Sequence, residues 1–174
     1  MIVDVVGELA KAEIGATFNF YRDGPRANLR RRRLREYLAS RAEAPDLLVG
    51  EAPGYRGARV SGIPFTSERQ LTGTGPAEAT ATIVRAVLAE LGIEEQVLLW
   101  NVVPTHPGTA TTNRRPSRRE VEEGLPFVRS LACGRRVIAV GRLAEAALGA
   151  PYVRHPSYGG AGSFRRQLRT ALCC

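Results

Sequence analysis

A chain of 174 residues, 44% of them apolar and 24% charged, is the size of one globular domain with one substantial core, so residues 1–174 are expected to form a single unit. No stretch approaches the roughly 18 consecutive apolar residues of a membrane span, and the first residues lack a basic-then-apolar leader, which points to a soluble, cytoplasmic protein. The net charge of +8 comes mostly from arginine, whose planar fork suits phosphate; nucleic acid is a reasonable partner, although an acidic protein or membrane surface fits charge alone nearly as well.

Residues 1–27 carry little signal beyond an apolar start and a turn at Gly24 and Pro25. After Asn28, the segment LRRRRLREYLASR places Leu29, Leu34, Tyr37 and Leu38 near one face, which predicts an amphipathic helix capped by Asn28. Its opposite face is strongly basic and is either solvated or turned to phosphate. Asp46–Gly50 (DLLVG) is a short apolar run ended by glycine and reads as a buried strand entering the glycine-rich loop EAPGYRG. Residues 76–91 predict a helix, with proline at its start and Gly92 just past its end. Residues 96–101 (QVLLWN) form the second buried strand, and after a proline-interrupted loop Ser117 opens a helix with a capping box completed by Glu120. Arg136–Val140 (RVIAV) is a third strand, residues 143–148 a short helix, residues 152–154 a fourth strand and residues 162–172 a closing helix. The alternation of strands and helices implies an α/β protein whose mostly parallel sheet is sandwiched by helices, with functional loops at the C-terminal strand ends.

Cysteine usage narrows the chemistry further. Cys133 and the adjacent Cys173 and Cys174 provide neither a disulfide framework nor the ligands of a four-cysteine metal or iron-sulfur site.

Three loops that follow predicted strands contain residues that packing does not require: GEAPGYRG at 50–57, WNVVPTHP at 100–107 and RHPSYGG at 154–160. In an open α/β sheet such loops converge on one crevice. Glu51 sits among glycines and prolines that let backbone approach a ligand, though a turn with one exposed glutamate has the same pattern. Asn101 ends an apolar strand, where a polar side chain is either a turn residue or has a ligand to meet. His155 is one of two histidines, and the turn it forms with Pro156 and Ser157 at a strand end is unusual for a packing role.

In this order the segments GEAPG, SGIPF, NVV ending a strand, NRRP at 113–116 and HPSY at 155–158 resemble the motifs of the uracil-DNA glycosylase superfamily, above all its iron-sulfur branch. The likeness covers about residues 46–170. It implies a three-layer α/β/α sandwich with a central four-stranded sheet, DNA containing uracil as partner, and a monomeric enzyme that hydrolyses the base-sugar bond. By that resemblance Glu51 orients the attacking water or stabilises the sugar cation, and His155 donates to the base O2 as negative charge forms. Asn101 reads the N3-H and O4 edge, Phe65 stacks on the extruded ring, and Gly50, Gly54 and Tyr55 surround the base. Pro53, Ser157, Tyr158 and the arginines Arg114, Arg115, Arg118 and Arg119 grip the DNA; Arg118 and Arg119 oppose the helix dipole where they stand, which favours a ligand for them.

This chain also departs from the pattern. Thr105 and Gly124 stand where the iron-sulfur branch has cysteines, so no cofactor is expected, and no metal is implied because Glu51, His106 and His155 lack a ligand spacing. Gly54 stands where other branches carry a tyrosine that excludes thymine, which leaves the C5 side of the pocket open unless Tyr55 turns into it. Glu68 is the next carboxylate should Glu51 not be catalytic. Alternative readings are a glycosylase for hypoxanthine or xanthine, a catalytically silent nucleic-acid-binding module, and a nucleotide- or sugar-phosphate-binding protein.

Overall fold

The computed structural model describes residues 4–172; the pair Cys173 and Cys174 lies outside them. Strands β1 (Asp46–Gly50), β2 (Val97–Asn101), β3 (Arg136–Val140) and β4 (Tyr152–Val153) form a parallel sheet in the order β2-β1-β3-β4. Around it lie helices α1 (Val5–Leu9), α2 (Ala27–Ser40), α3 (Ala58–Ser61), α4 (Glu68–Thr72), α5 (Ala79–Leu91), α6 (Arg118–Ala132), α7 (Arg142–Leu148) and α8 (Ala161–Leu172). Every residue of β1 and β2 is buried, which requires cover on both faces of the sheet. The chain steps outward from β1 to β2 through α5, then back past β1 to β3 through α6. With right-handed crossovers that reversal puts α5 and α6 on opposite faces, giving the expected three-layer α/β/α sandwich. On its face α5 packs against α8, while α6 packs against α1. Among the described residues no helix is long and apolar enough to cross a membrane.

The β1 and β3 boundaries match the sequence reading, whereas several helix starts differ. α2 begins at Ala27, one residue before the predicted cap, and its N-cap Arg26 makes no side-chain capping bond. Asn28 is therefore inside the helix, and its side-chain oxygen accepts from the Arg31 guanidinium instead. Leu29 is only partly buried. Arg30 takes the inward position, 8% exposed, because its guanidinium donates to the carbonyls of Phe20 and Val60, both at 3.2 Å. Arg32 and Arg35 are exposed, but the rest of the run turns to the protein: Arg31 donates to the Tyr21 carbonyl, and Arg33 reaches the carbonyl of Ser61 (3.1 Å) and the carboxylate of Glu68 (2.8 Å). Arg26 joins the same carboxylate at 2.6 Å. These arginines act as ties between α2 and the segments before and after β1.

α5 starts at Ala79, three residues after Pro76, with Glu78 as N-cap. The capping box of α6 forms as expected: Ser117 Oγ accepts from the Glu120 N-H at 3.2 Å, and Glu120 Oε2 accepts from the Ser117 N-H at 2.8 Å. Gly124 lets this helix rest on the loop after β2, since a Cβ there would come within 2.2 Å of the Val102 carbonyl oxygen. Thr105 is fully buried and shares a hydroxyl hydrogen bond of 2.5 Å with Thr17. Gly124 is thus taken up by close packing and Thr105 by a hydroxyl pair.

Candidate active site

The register of the sheet sets the site. Gly50 pairs with Asn101, so the loops after β1 and β2 leave the sheet side by side. The ladder continues past the strands, with the Val102 N-H donating to the Gly50 carbonyl (2.8 Å) and the Val103 N-H to the Glu51 carbonyl (3.1 Å). The loop after β4 closes the third side. Together they enclose a small inner pocket of 30 Å³, lined by Glu51, Pro53, Gly54, Phe65, Glu78, Asn101 and His155. It shares Glu51, Gly54, Glu78 and His155 with an outer cleft of about 560 Å³ that opens toward Arg114, Arg115, Ser157 and Tyr158.

Asn101 is only 4% exposed, and its side-chain amide has no partner among the described residues. The amide opens on the pocket, where a ligand edge with matching donor and acceptor groups can meet it directly. Its Oδ1 lies beside Gly50, where a Cβ would come within 3.0 Å of it and within 2.3 Å of the Phe65 ring. Only glycine at 50 allows the ring and the amide to share one pocket wall. Phe65 and Tyr158 are the non-glycine residues with positive φ among the described residues, both at 50°, and both line the site. A left-handed backbone at a bulky residue costs of order 1 kcal/mol or more and persists where the surroundings impose it.

Glu51 is half-buried. Burial raises its carboxyl above the usual carboxylate range, and the positive charge of Arg115 opposes that rise. His155 is also half-buried, and desolvation lowers its imidazole below the usual value, so the neutral ring is favoured. The Ser157 N-H donates to Nδ1 at 3.2 Å, with the Ser157 hydroxyl 2.7 Å from the same nitrogen. A lone pair on Nδ1 leaves the proton on Nε2. The ring is thus a neutral donor, suited to an oxygen on which negative charge develops, with a carboxylate for developing positive charge in the same pocket.

The predicted residues divide into three groups. Glu51, Gly50, Gly54, Phe65, Asn101 and His155 meet at the inner pocket; Pro53, Arg114, Arg115, Ser157 and Tyr158 line the outer cleft. Tyr158 is 99% exposed. Tyr55, Arg118 and Arg119 do not join them. The Tyr55 N-H donates to Asn113 Oδ1 at 2.9 Å, and Tyr55 lines neither space. Arg118 and Arg119 pair with Glu122 and Glu123 one turn along α6, at 2.8 and 2.7 Å; these pairs account for arginines at a helix start without a ligand. Arg114 is held by Glu120 through two bonds of 2.7 and 2.6 Å. Among the described residues the Arg115 guanidinium has no ion-pair partner. Glu68, bound by Arg26 and Arg33, faces neither space.

Three contributors were missed in the sequence. His106, fully buried, turns Nδ1 to the Pro53 carbonyl (2.8 Å) and Nε2 to those of Thr109 (2.8 Å) and Thr112 (3.2 Å), bracing the Glu51 loop against the loop after β2. Asn113, the first residue of NRRP, pins the same loop at Tyr55. The third is Glu78. Its carboxylate fills the space beside Gly54 that the sequence leaves open: a Cβ on Gly54 would lie 2.6 Å from Oε1. Among the described residues no three His, Cys, Asp or Glu side chains gather as metal ligands.

An amide that can read a planar edge, an aromatic wall, a carboxylate and a neutral imidazole donor around one small pocket suit a hydrolase that holds a heterocycle and expels it as an anion from a partner that becomes cationic. The family model described as the uracil DNA glycosylase superfamily matches residues 39–171. The chain belongs to that superfamily and is a DNA glycosylase. Its fold is similar to the crystal structure of wild-type Pedobacter heparinus SMUG2, with a TM-score of 0.72 and 13% sequence identity over 98% of this chain and 95% of that one. A search of curated proteins gives no match.

Proposed function

We propose that the protein acts as a monomer on DNA, draws a uracil nucleotide into the inner pocket and hydrolyses its N-glycosidic bond without cleaving the backbone. The observation that carries this reading is the buried, partnerless amide of Asn101 facing the same pocket as Glu51 and His155. That amide can accept from uracil N3-H and donate to O4, whereas cytosine presents the reverse pattern. Phe65 supplies the stacking wall, and the neutral Nε2-H of His155 is the donor for O2.

In the reaction the bond between base N1 and sugar C1′ breaks, and its electron pair leaves with the base. The His155 Nε2-H stabilises the resulting negative charge without having to transfer its proton, as suits a ring whose basicity is lowered by burial. The ionised Glu51 faces the sugar cation and orients a water whose oxygen bonds to C1′; the water's proton passes to the carboxylate or to bulk solvent, and an abasic sugar remains. Arg115, with no ion-pair partner at the mouth, is free for phosphate, and the fully exposed Tyr158 stands where the duplex would be probed. The test is release of free base from oligonucleotides bearing uracil, hypoxanthine or xanthine, single- and double-stranded. Uracil release supports the reading. Release of only the purines would reassign the substrate, and no release at all would leave a DNA-binding module.

A further inference from the structure

We propose that Glu78 is the residue that sets selectivity at C5 of the base, refusing a methyl group by presenting a carboxylate to it. This inference rests on the uracil reading above and concerns the same pocket. Glu78 lines both the inner pocket and the cleft. It stands at the N-cap of α5 yet makes no side-chain capping bond; its N-H is held by Ser67 Oγ at 2.8 Å, and the carboxylate turns instead onto the Glu51 loop. That loop is cleared for it. A Cβ at Gly54 would lie 2.6 Å from Oε1, and a Cβ at Gly57 would lie 1.6 Å from Oε2. Two glycines of GEAPGYRG are therefore bare where this side chain rests.

Among the described residues the Glu78 carboxylate has no hydrogen-bond or ion-pair partner. Burial alone raises its carboxyl above the usual range, with no cation to oppose the rise. A pyrimidine presents four sides in its plane: the bond to sugar faces the cleft, O2 meets His155, and N3 and O4 meet Asn101. The C5 side remains, and Glu78 is the ionisable group of the inner pocket still without a task. Uracil offers C5-H there, a weak donor that tolerates a carboxylate oxygen. The thymine methyl offers nothing and would strip water from the carboxylate, an expensive substitution for a polar group in a confined space. Thymine and uracil are otherwise identical along the edge that Asn101 reads, so discrimination between them falls to this side.

The experiment measures single-turnover base release from oligonucleotides bearing uracil, thymine or 5-hydroxymethyluracil, for the wild type, Glu78→Ala and Glu78→Gln, with thermal melts to establish folding. Wild type should cleave uracil, refuse thymine, and act on 5-hydroxymethyluracil faster than on thymine although the former is bulkier, because its hydroxyl can donate to the carboxylate. Glu78→Ala should raise the thymine-to-uracil rate ratio about tenfold or more, the scale expected for one methyl group in a pocket. Glu78→Gln should move the ratio in the same direction by less, and it carries the test if the alanine variant does not fold. Ratios within about twofold of wild type in the folded variants would overturn the proposal, as would a wild type that prefers thymine to 5-hydroxymethyluracil. A wild type that releases no uracil would overturn the uracil reading itself, and this inference with it.

Discussion

Glu120 is the carboxylate on which the cleft wall depends, and its removal is the most quantitative test of the structure. It is 1% exposed and accepts two bonds from Arg114, one from the Ser117 N-H at 2.8 Å and one from the Ala16 N-H at 3.1 Å. The Arg114 guanidinium, first, and these N-H groups pull its carboxyl down from 4.5 to about 2, against the opposing effect of burial. At about 1.36 kcal/mol per pH unit this is on the order of 3 kcal/mol of stability at neutral pH. Because the folded value lies below the unfolded one, that contribution is complete above about pH 4.5 and is lost as pH falls toward 2. Glu120→Gln should therefore cost roughly 3 kcal/mol in urea denaturation at pH 7, and the gap to wild type should narrow as the pH is lowered through this window. The variant should also weaken DNA binding, since Arg114 would lose its fixed place in the cleft. A Glu120→Gln protein as stable as wild type at pH 7, or a gap that does not narrow in acid, would refute the assignment of this ion pair.

Glu51→Gln and His155→Ala should each lower single-turnover uracil release by on the order of 10²–10³ while leaving DNA affinity close to wild type, as gel-shift titration would show; near-normal rates in either would remove that residue from the mechanism. Arg115→Ala should move the acid limb of the kcat/KM profile to higher pH, because Arg115 lowers the raised carboxyl of Glu51 and its loss makes ionisation harder; a shift to lower pH would contradict the ionised role of Glu51. Asn101→Asp should slow uracil release and admit detectable cytosine release on matched oligonucleotides, and a variant that keeps strict uracil preference would show that the base is read elsewhere.

The sheet was legible because its strands are short apolar runs ended by polar or glycine residues, and the parallel arrangement followed from their alternation with helices. What was illegible lies where tertiary partners override local pattern. Arg30 occupies an inward helical position that hydrophobic periodicity assigns to leucines, because the Phe20 and Val60 carbonyls point at it from segments with no regular pattern. The short helices α3 and α4 have too few residues for a period to register, and proline at 76 marked the start of a helix whose first turn begins after Glu78.

The candidate site was legible where chemistry coincides with a strand end, as at Glu51, Asn101 and His155. It was illegible where a residue acts across the fold. Arg118 and Arg119 are a different case: the helix dipole suggested a ligand for them, whereas Glu122 and Glu123, four residues on along the same helix, already answer them, a spacing the sequence itself carries. Gly54 is the reverse case. An absent side chain was read as an open pocket, whereas space in a packed loop belongs to whichever neighbour can reach it, and Glu78 reaches it from 24 positions along the chain. The loop glycines and the glutamate thus form one unit whose parts are uninformative separately. A glycine beside a partnerless carboxylate is better understood as a seat for that carboxylate than as a vacancy for the substrate, which is why the selectivity proposed for this pocket rests on a charge at C5 rather than on an aromatic ring.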